Sequence, residues 1–301
     1  MSLPHDFWGS YEESISTLQQ FTQAIEMISA YGADSQYVWR GVADAEWPLH
    51  SSLVNAYKKK YGALPREPQL RDFERTVLAE ARDEWGLDWH ATGGRLSALE
   101  LLAALQHYGV PTRLLDFTFN PLIALWFAVE KHDARDGRVF AIDISRAAVD
   151  HDRAVKHDPW WHTVGLGPDN DWTTKSWVWR PPPIEPRIVR QAGCFLLGGV
   201  PSTMTFHNVK QGGVWRPMKA AEIRECTCVT FPLVGYSNRA VSAMHQRRGR
   251  GKPAQQRAFT LRIDASIKNA LRTALERGFG YRHSVLFPDY QGLGRYGRTF
   301  R

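Results

Sequence analysis

Three polar segments on otherwise apolar stretches carry the residue types that could bind or transform a ligand. The first is Arg40-Gly41, which ends the short predicted strand Tyr37–Trp39. An arginine at a strand end can form two parallel hydrogen bonds with a phosphate or a carboxylate, and a glycine lets a ligand approach the backbone. The alternative is a structural arginine paired with a core carboxylate such as Asp116. The sequence leaves both interpretations open.

The second segment runs from Gln106 to Thr118 and has more polar side chains than a plain core strand needs. A buried polar group must find a hydrogen-bond partner, so Asp116 could hold Arg40 or Arg113 in place while His107 or Tyr108 faces a ligand. Alternatively, the segment is a satisfied internal network that fixes the fold. Its polar residues are Gln106, His107, Tyr108, Arg113, Asp116 and Thr118.

The third segment is RIVRQAGCF, in which Arg187, Arg190 and Gln191 precede the small Gly193. A glutamine side chain offers both a donor and an acceptor. Gln191 could therefore read a ribose hydroxyl or an amide of a ligand. The alternative is cross-strand pairing within the protein.

The composition is that of an ordinary globular chain with a mildly basic charge. Of the 301 residues, 43% are hydrophobic and 23% charged, and the formal net charge is +7. Four positive charges lie in the stretch His245–Lys252. This stretch is either a solvated loop or a contact to the phosphates of a nucleic acid or nucleotide.

Several classes of protein are disfavoured by what the sequence lacks. No apolar run approaches the roughly 18 residues of a membrane span, and the first residues do not resemble a signal peptide. The three cysteines form no disulfide framework. With only His207 nearby, Cys226 and Cys228 make a poor metal site, so we expect no metal and a reducing, cytoplasmic location. Motifs of kinases, Rossmann dehydrogenases, zincins and α/β-hydrolases do not occur in a fitting context.

The pattern of apolar residues predicts an α+β fold, because strands and helices do not alternate strictly. A capping box of Ser97 and Glu100 opens one helix, and Asn120 with Pro121 opens another. Residues 150–183 are predicted to be an irregular insertion rich in Trp and Pro. Predicted helices cover 14–31, 69–84, 97–108, 122–130 and 266–277, and predicted strands cover 37–39, 112–117, 137–144, 187–198, 226–232 and 258–263.

In this order, the three segments resemble the FRG domain, a family named after its Phe-Arg-Gly signature, which stands here as Trp39-Arg40-Gly41. The resemblance continues through WPLHSSL, LQHYGVPTRLLDFTFNPLIALWFA, RIVRQAGCFLL and VLFPDYQGL. It covers roughly residues 30–295 and implies a single FRG-type domain over residues 1–301. Two positions depart from the family pattern. Phe117 stands where Trp is more usual, and Tyr290-Gln291 stands where a Leu-Asp pair is usual.

The order of the segments is also similar to that of ADP-ribosyltransferases, which implies a split β-sheet core with flanking helices and NAD as the substrate. By this resemblance, Arg40, Thr118 and Gln191 are the catalytic positions. Gln191 is not a base, so Glu185 would substitute for the missing glutamate. Charge stabilisation and positioning would carry most of the rate.

The same resemblance implies an NAD-binding set around these positions. Arg40 would clamp the pyrophosphate, while Tyr108 and Phe117 would flank the nicotinamide. The acceptor would be a protein, a nucleotide or a nucleic acid bound through His245–Lys252, in a toxin or phage-defence effector with a cognate antitoxin or defence partner. The full predicted binding set is Arg40, Gly41, His107, Tyr108, Arg113, Asp116 and Phe117.

Two other function classes remain open at this level. In the first, the FRG-like fold is a non-catalytic module that binds a nucleotide or RNA, which the glutamine at position 191 favours. In the second, Asp116 and His107 act as the acid–base pair of a hydrolase, although no second carboxylate is evident to hold a metal.

Overall fold

The computed structural model describes residues 3–30, 36–89, 94–145, 176–182, 186–202, 207–230 and 258–297. In the described part of the chain, no helix is both long and apolar enough to cross a membrane. The strands are β1 (Glu12–Ile15), β2 (Tyr37–Val42), β3 (Leu115–Thr118), β4 (Gly137–Asp143), β5 (Ser176–Trp179), β6 (Gly193–Gly198), β7 (Asn208–Gln211), β8 (Val214–Pro217) and β9 (Ala258–Ile263).

Helices surround these strands. They are α1 (Leu3–Gly9), α2 (Leu18–Ser29), α3 (Ser52–Tyr61), α4 (Glu67–Asp83), α5 (Ala98–His107), α6 (Pro121–Val129), α7 (Pro186–Arg190), α8 (Ala220–Cys226), α9 (Lys268–Phe279), α10 (His283–Leu286) and α11 (Tyr290–Gly297), with a 3-10 turn at Ala265–Ile267. The predicted α+β class is confirmed.

Seven of the described strands form one mixed sheet in the order β1-β9-β4-β2-β3-β6-β5, and β7 and β8 form a separate hairpin. Strand β2 pairs with β4 over six residues but meets β3 at a single pair, Trp39 with Thr118. The sheet is therefore continuous but narrow at the β2–β3 junction, and this is where the three polar segments of the sequence meet.

Alternation along β2 separates two faces of the sheet. Val38 and Val42 point into a core with Phe117 and Phe140; we call this side the front face. Tyr37 and Trp39 point to the opposite side, the back face, where helix α6 supplies much of the apolar contact. Helices α1, α3 and α8 contribute to the front core, and α2 and α9 contribute to the back core.

Helix capping agrees with the sequence. Ser97 accepts a hydrogen bond from the Glu100 N–H, and the Glu100 carboxylate accepts one from the Ser97 N–H, so the predicted capping box is confirmed. Asn120 accepts a hydrogen bond from the Leu122 N–H at 2.9 Å and caps α6. Because these caps satisfy backbone groups that a helix end leaves free, they fix where α5 and α6 begin.

Two strand predictions were wrong in part. Arg40 and Gly41 do not end β2 but lie inside it, because β4 pairs with the strand as far as Val42. The predicted strand Arg187–Gly198 begins as helix α7, and only β6 is strand. The β-branched residues of RIVR favour a strand, but the stretch is helical and its Arg187 pairs with Asp289 of the C-terminal segment.

Other boundaries also differ from the sequence. Residues 226–230 do not form the predicted strand, since Cys226 ends α8 and Thr227 makes only an isolated bridge to Leu49. Ser176–Trp179, inside the predicted irregular insertion, forms edge strand β5 against β6. The predicted first helix begins later, because residues 12–15 pair with β9 as β1. The rest of the predicted insertion, apart from residues 180–182, lies outside the described residues.

Candidate functional site at the narrow sheet junction

Arg40 projects from the front face of β2 between Val38 and Val42, next to the β2–β3 junction. Its Nη1 donates a hydrogen bond to the backbone carbonyl of Asp116 at 2.6 Å. Its Nε is buried and has no hydrogen-bond partner among the residues that the structure describes. Burial lowers the pKa of the Arg40 guanidinium, and the Asp116 and Cys228 side chains oppose that shift. No carboxylate of the described residues lies within ion-pair distance of this cation.

Gly41 has a different role from the one predicted. A Cβ atom built on Gly41 would lie within 3.0 Å of backbone atoms of Ala124 and Ala128 in α6. The space beside the glycine is thus filled by a helix and not open to a ligand. The prediction that Gly41 lets NAD approach the backbone was therefore wrong, and the reason is close packing of α6 on the back face.

The second polar segment forms a hydrogen-bond chain that ends at Arg40. The hydroxyl of Thr112 donates to the Gln106 amide oxygen, and the Gln106 Nε2 donates to the Asp116 carboxylate at 2.8 Å. Asp116 then accepts the Arg40 bond through its main-chain carbonyl. The Asp116 side chain is exposed, so it does not serve as the buried counterion of Arg40.

Arg113 belongs to an internal ion pair. Its Nε contacts the Glu74 carboxylate at 2.5 Å, and its Nη2 contacts Glu67 at 3.1 Å. Both residues are buried: Arg113 is 3% exposed and Glu74 is 0% exposed. The two carboxylates hold the pKa of Arg113 above its usual value, against the opposing effect of burial. The alternative of a satisfied internal network therefore describes Arg113, and its guanidinium is not free to bind NAD.

The predicted aromatic pair does not form one surface. Phe117 is 3% exposed and lies in the front core, whereas Tyr108 is 72% exposed at the end of α5. The rings of His107 and Tyr108 form a T-shaped contact with their centroids 5.0 Å apart. A nicotinamide could stack on Tyr108 but would have to open the core to reach Phe117.

Thr118 and Gln191 lie together on the back face. The Thr118 hydroxyl donates to the Gln191 carbonyl at 2.6 Å and accepts the Asn120 N–H at 3.0 Å. The Gln191 amide donates to the Leu286 carbonyl at 2.8 Å. Both side chains therefore join α7 and the C-terminal segment to the end of β3.

Arg40 and Thr118 point to opposite sides of the sheet. Thr118 pairs in register with Trp39, and paired side chains share one face. Arg40 is the next residue after Trp39 and so points to the other side. The structure brings together Thr118 with Gln191, and Arg40 with Gln106 and Asp116, but not the two groups on one surface.

An ion pair between Arg187 and Asp289 in this region was not predicted from the sequence. Arg187 of α7 forms two hydrogen bonds with the Asp289 carboxylate, at 3.0 and 2.8 Å. Its guanidinium also lies 4.9 Å from the centre of the Phe287 ring. Desolvation raises the pKa of Asp289, but the Arg187 hydrogen bond and charge, with a smaller contribution from His107, lower it overall. The sequence feature that could have indicated this ion pair is the aspartate of the terminal segment VLFPDYQGL.

Two predicted features lie outside the described residues: Glu185 and the basic stretch His245–Lys252. Among the described residues, no group of three or more His, Cys, Asp or Glu could hold a metal ion. The three cysteines are free and buried. Burial raises the pKa of Cys226 to about 12 and of Cys228 to about 11, so neither thiol is an activated nucleophile.

Comparison with known proteins gives one match. Residues 35–137 match the family model of the FRG domain. No curated protein matches the chain, and no solved structure does. The matched range contains Arg40, Gly41 and the whole polar segment from Gln106 to Thr118, and it ends at the first residue of β4. The chain therefore contains an FRG domain, matched from the residues before β2 to the start of β4.

Proposed function

We propose that the FRG domain of this chain binds an anionic nucleotide through Arg40, and that NAD is the nucleotide. The observation that carries the proposal is a largely buried guanidinium that, among the described residues, has no carboxylate in an ion pair and leaves one buried N–H unpaired. A phosphate oxygen would provide the missing negative charge and accept the free N–H.

Other buried arginines of the chain show why Arg40 is unusual. Arg138 lies fully buried between two oxygens of Glu12, both at 2.8 Å, and Arg113 contacts Glu74 and Glu67. A buried charge without a partner is costly, because it loses hydration without a compensating ion. In the described part of the chain, the hydrogen-bond partner of Arg40 is a neutral carbonyl, so a bound anion would remove a cost that these residues do not remove.

The test is calorimetric titration of the whole chain with NAD, comparing wild type with Arg40→Gln. We expect the variant to bind NAD at least about tenfold more weakly, as for loss of a charge-assisted pair. Arg75→Gln is the matched control, because Arg75 is exposed and its distance to Asp72 is 3.7 Å. Equal affinities of wild type and Arg40→Gln would contradict the proposal.

ADP-ribosyl transfer from NAD is a second candidate. The 2.6 Å hydrogen bond between Thr118 and Gln191 favours it, since these two positions adjoin as the resemblance to ADP-ribosyltransferases implies. In this reaction the bond from nicotinamide to ribose breaks, and a protein, nucleotide or nucleic-acid acceptor attacks the ribose carbon. Bound NAD would have to reach past the narrow β2–β3 junction, because Arg40 and Thr118 point to opposite faces.

Nicotinamide release separates the two candidates. A transferase or glycohydrolase releases nicotinamide from NAD, and the release stops in Arg40→Gln and falls in Gln191→Ala. A binding module binds NAD without release. If release is found, adding protein or nucleic acid identifies the acceptor, and growth arrest on expression in a host would fit a toxin or defence effector.

A nucleic-acid contact through His245–Lys252 is part of the same proposal. Neutral replacements of its four basic residues should weaken RNA binding and flatten its dependence on salt, because fewer counterions are released. The measurement is RNA affinity between low and moderate salt. An unchanged slope would exclude this stretch as the contact.

A further inference from the structure

A pocket lies between helices α3, α4 and α8, and Arg40 does not line it. Its volume is about 510 Å³, which is within the range of small-ligand pockets. The charged and aromatic side chains that line it are Tyr57, Arg66, Arg224 and Glu225, and the amide of Gln69 completes the set. None of these residues was a candidate from the sequence, and none touches the Arg40 group in the hydrogen bonds described above.

The charges in this pocket are unbalanced. Its one carboxylate, Glu225, is paired with Lys58 at 2.7 Å. Within the described residues, Arg66 makes no ion pair, and the one side-chain hydrogen bond of Arg224 goes to the Pro201 carbonyl at 2.9 Å. Two arginines therefore line one pocket without a carboxylate of their own, and an anion would satisfy both.

Mutual repulsion of the two arginines agrees with this geometry. Burial is the main cause that lowers the pKa of the Arg224 guanidinium, and the positive charge of Arg66 lowers it further, while Glu225 opposes both effects. Like charges held close together disfavour each other unless an anion lies between them. Arg66 is exposed, so a ligand can reach it from solvent.

The pocket is also held in shape before a ligand arrives. The backbone carbonyl of Arg224 is hydrogen-bonded to the buried His50 Nε2 at 2.7 Å. The Arg224 Nη1 donates to the Pro201 carbonyl. Tyr57 packs on Tyr61 with ring centroids 4.5 Å apart. The 17-residue helix α4 begins at Glu67, directly after Arg66, and its N-terminal end adds partial positive charge. Preorganised cationic groups lose less entropy when they bind an anion.

We propose that this pocket binds the phosphate of a mononucleotide between Arg66 and Arg224, with the base against the Tyr57 ring. The two guanidinium groups suit a phosphate, which accepts several N–H bonds. The volume suits one nucleotide, and an aromatic ring beside a cationic pair is a usual arrangement for a base next to its phosphate. This site is independent of the nucleotide proposed at Arg40.

The test titrates the whole chain with adenosine monophosphate in the Arg40→Gln background, which removes binding at the first site. We expect Arg66→Gln to weaken this binding at least about tenfold, and adenosine, which lacks the phosphate, to bind at least tenfold more weakly than the monophosphate. Arg66 is exposed and its side chain makes no ion pair with a described residue, and its backbone N–H keeps the cap on Gln69 in the variant, so the variant should fold. Arg75→Gln, in the helix that begins directly after Arg66, is the matched control and should bind as the parent does.

Further titrations with other phosphate compounds identify which kind of molecule carries the phosphate. Ribose 5-phosphate should bind more weakly than adenosine monophosphate if Tyr57 contacts the base, and Tyr57→Leu should remove that difference. Equal binding of adenosine and its monophosphate, or unchanged affinity in Arg66→Gln, overturns the proposal. Binding of a single-stranded RNA without binding of the monophosphate also overturns it, because the pocket would then serve a nucleic-acid backbone.

Discussion

Gly41 of β2 lies directly against the backbone of Ala124 in α6, so that no side chain fits between strand and helix. A Cβ at Gly41 would lie within 3.0 Å of Ala124 and Ala128 backbone atoms, and one at Gly137 would lie equally close to Ala128. Two neighbouring strands thus each present a glycine to the same helix. The glycine of the FRG signature is explained by this packing, while the arginine before it points to the other face.

Gly41→Ala should therefore destabilise the chain strongly. The methyl group meets backbone atoms and not a flexible side chain, so α6 must move away from the sheet; we expect a loss of at least about 2 kcal/mol in the free energy of unfolding. Urea unfolding followed by tryptophan fluorescence measures it. Gly278→Ala is the control, because nothing lies within 4 Å of its Cβ position. If Gly41→Ala lowers the free energy of unfolding no more than Gly278→Ala does, the packing explanation is excluded.

Removing Arg113 should cost about 3–5 kcal/mol, since Glu74 would remain as an uncompensated buried charge. The variant is Arg113→Met, and urea unfolding at pH 7 measures its stability. Arg113→Met combined with Glu74→Met should recover most of the loss, because the pair is then replaced by apolar groups of similar size. A double variant as unstable as the single one would show that the pair does not act as a unit.

His207 predicts a loss of stability in acid. It is 9% exposed and packs edge-on against Phe7, and burial lowers its pKa to about 4. The unfolded chain binds a proton near the ordinary pKa of about 6.5, so stability is full above that value and falls as the pH drops towards 4. The expected loss between pH 7 and pH 5 is on the order of 2 kcal/mol.

The matched variant for this prediction is His207→Phe, which keeps an aromatic ring beside Phe7. Stability measured by urea unfolding at several pH values should fall less steeply in the variant than in wild type between pH 6.5 and 4. Identical slopes would show that His207 titrates normally in the folded chain, or that other groups account for the whole dependence.

Thr118 tests whether the back-face hydrogen bonds are structural, catalytic or both. Thr118→Val leaves the Gln191 carbonyl and the Asn120 N–H without their partner, so we expect a loss of about 1–3 kcal/mol. Thr118→Ser retains the hydroxyl and should lose much less. If NAD turnover is found, unchanged turnover in a folded Thr118→Val protein would show that the hydroxyl has only a structural role.

The sequence was sufficient for features that depend on local chemistry. Caps such as Ser97 and Asn120, the apolar pattern of α6 and β9, and the α+β class follow from neighbours in the chain. The FRG resemblance likewise follows from contiguous motifs. The sequence also located the polar segments that meet at the β2–β3 junction. It did not distinguish a ligand-binding arginine from a structural one.

Only the tertiary structure decided which partner each polar residue has. Arg113 and Arg40 look alike in sequence. Glu74 and Glu67 of helix α4 form ion pairs with Arg113, whereas no carboxylate of the described residues lies within ion-pair distance of Arg40. The face on which Arg40 lies depends on strand register, since a shift of one residue reverses it. The pocket of Arg66 and Arg224 joins residues more than 150 positions apart, and no local pattern predicts such a contact.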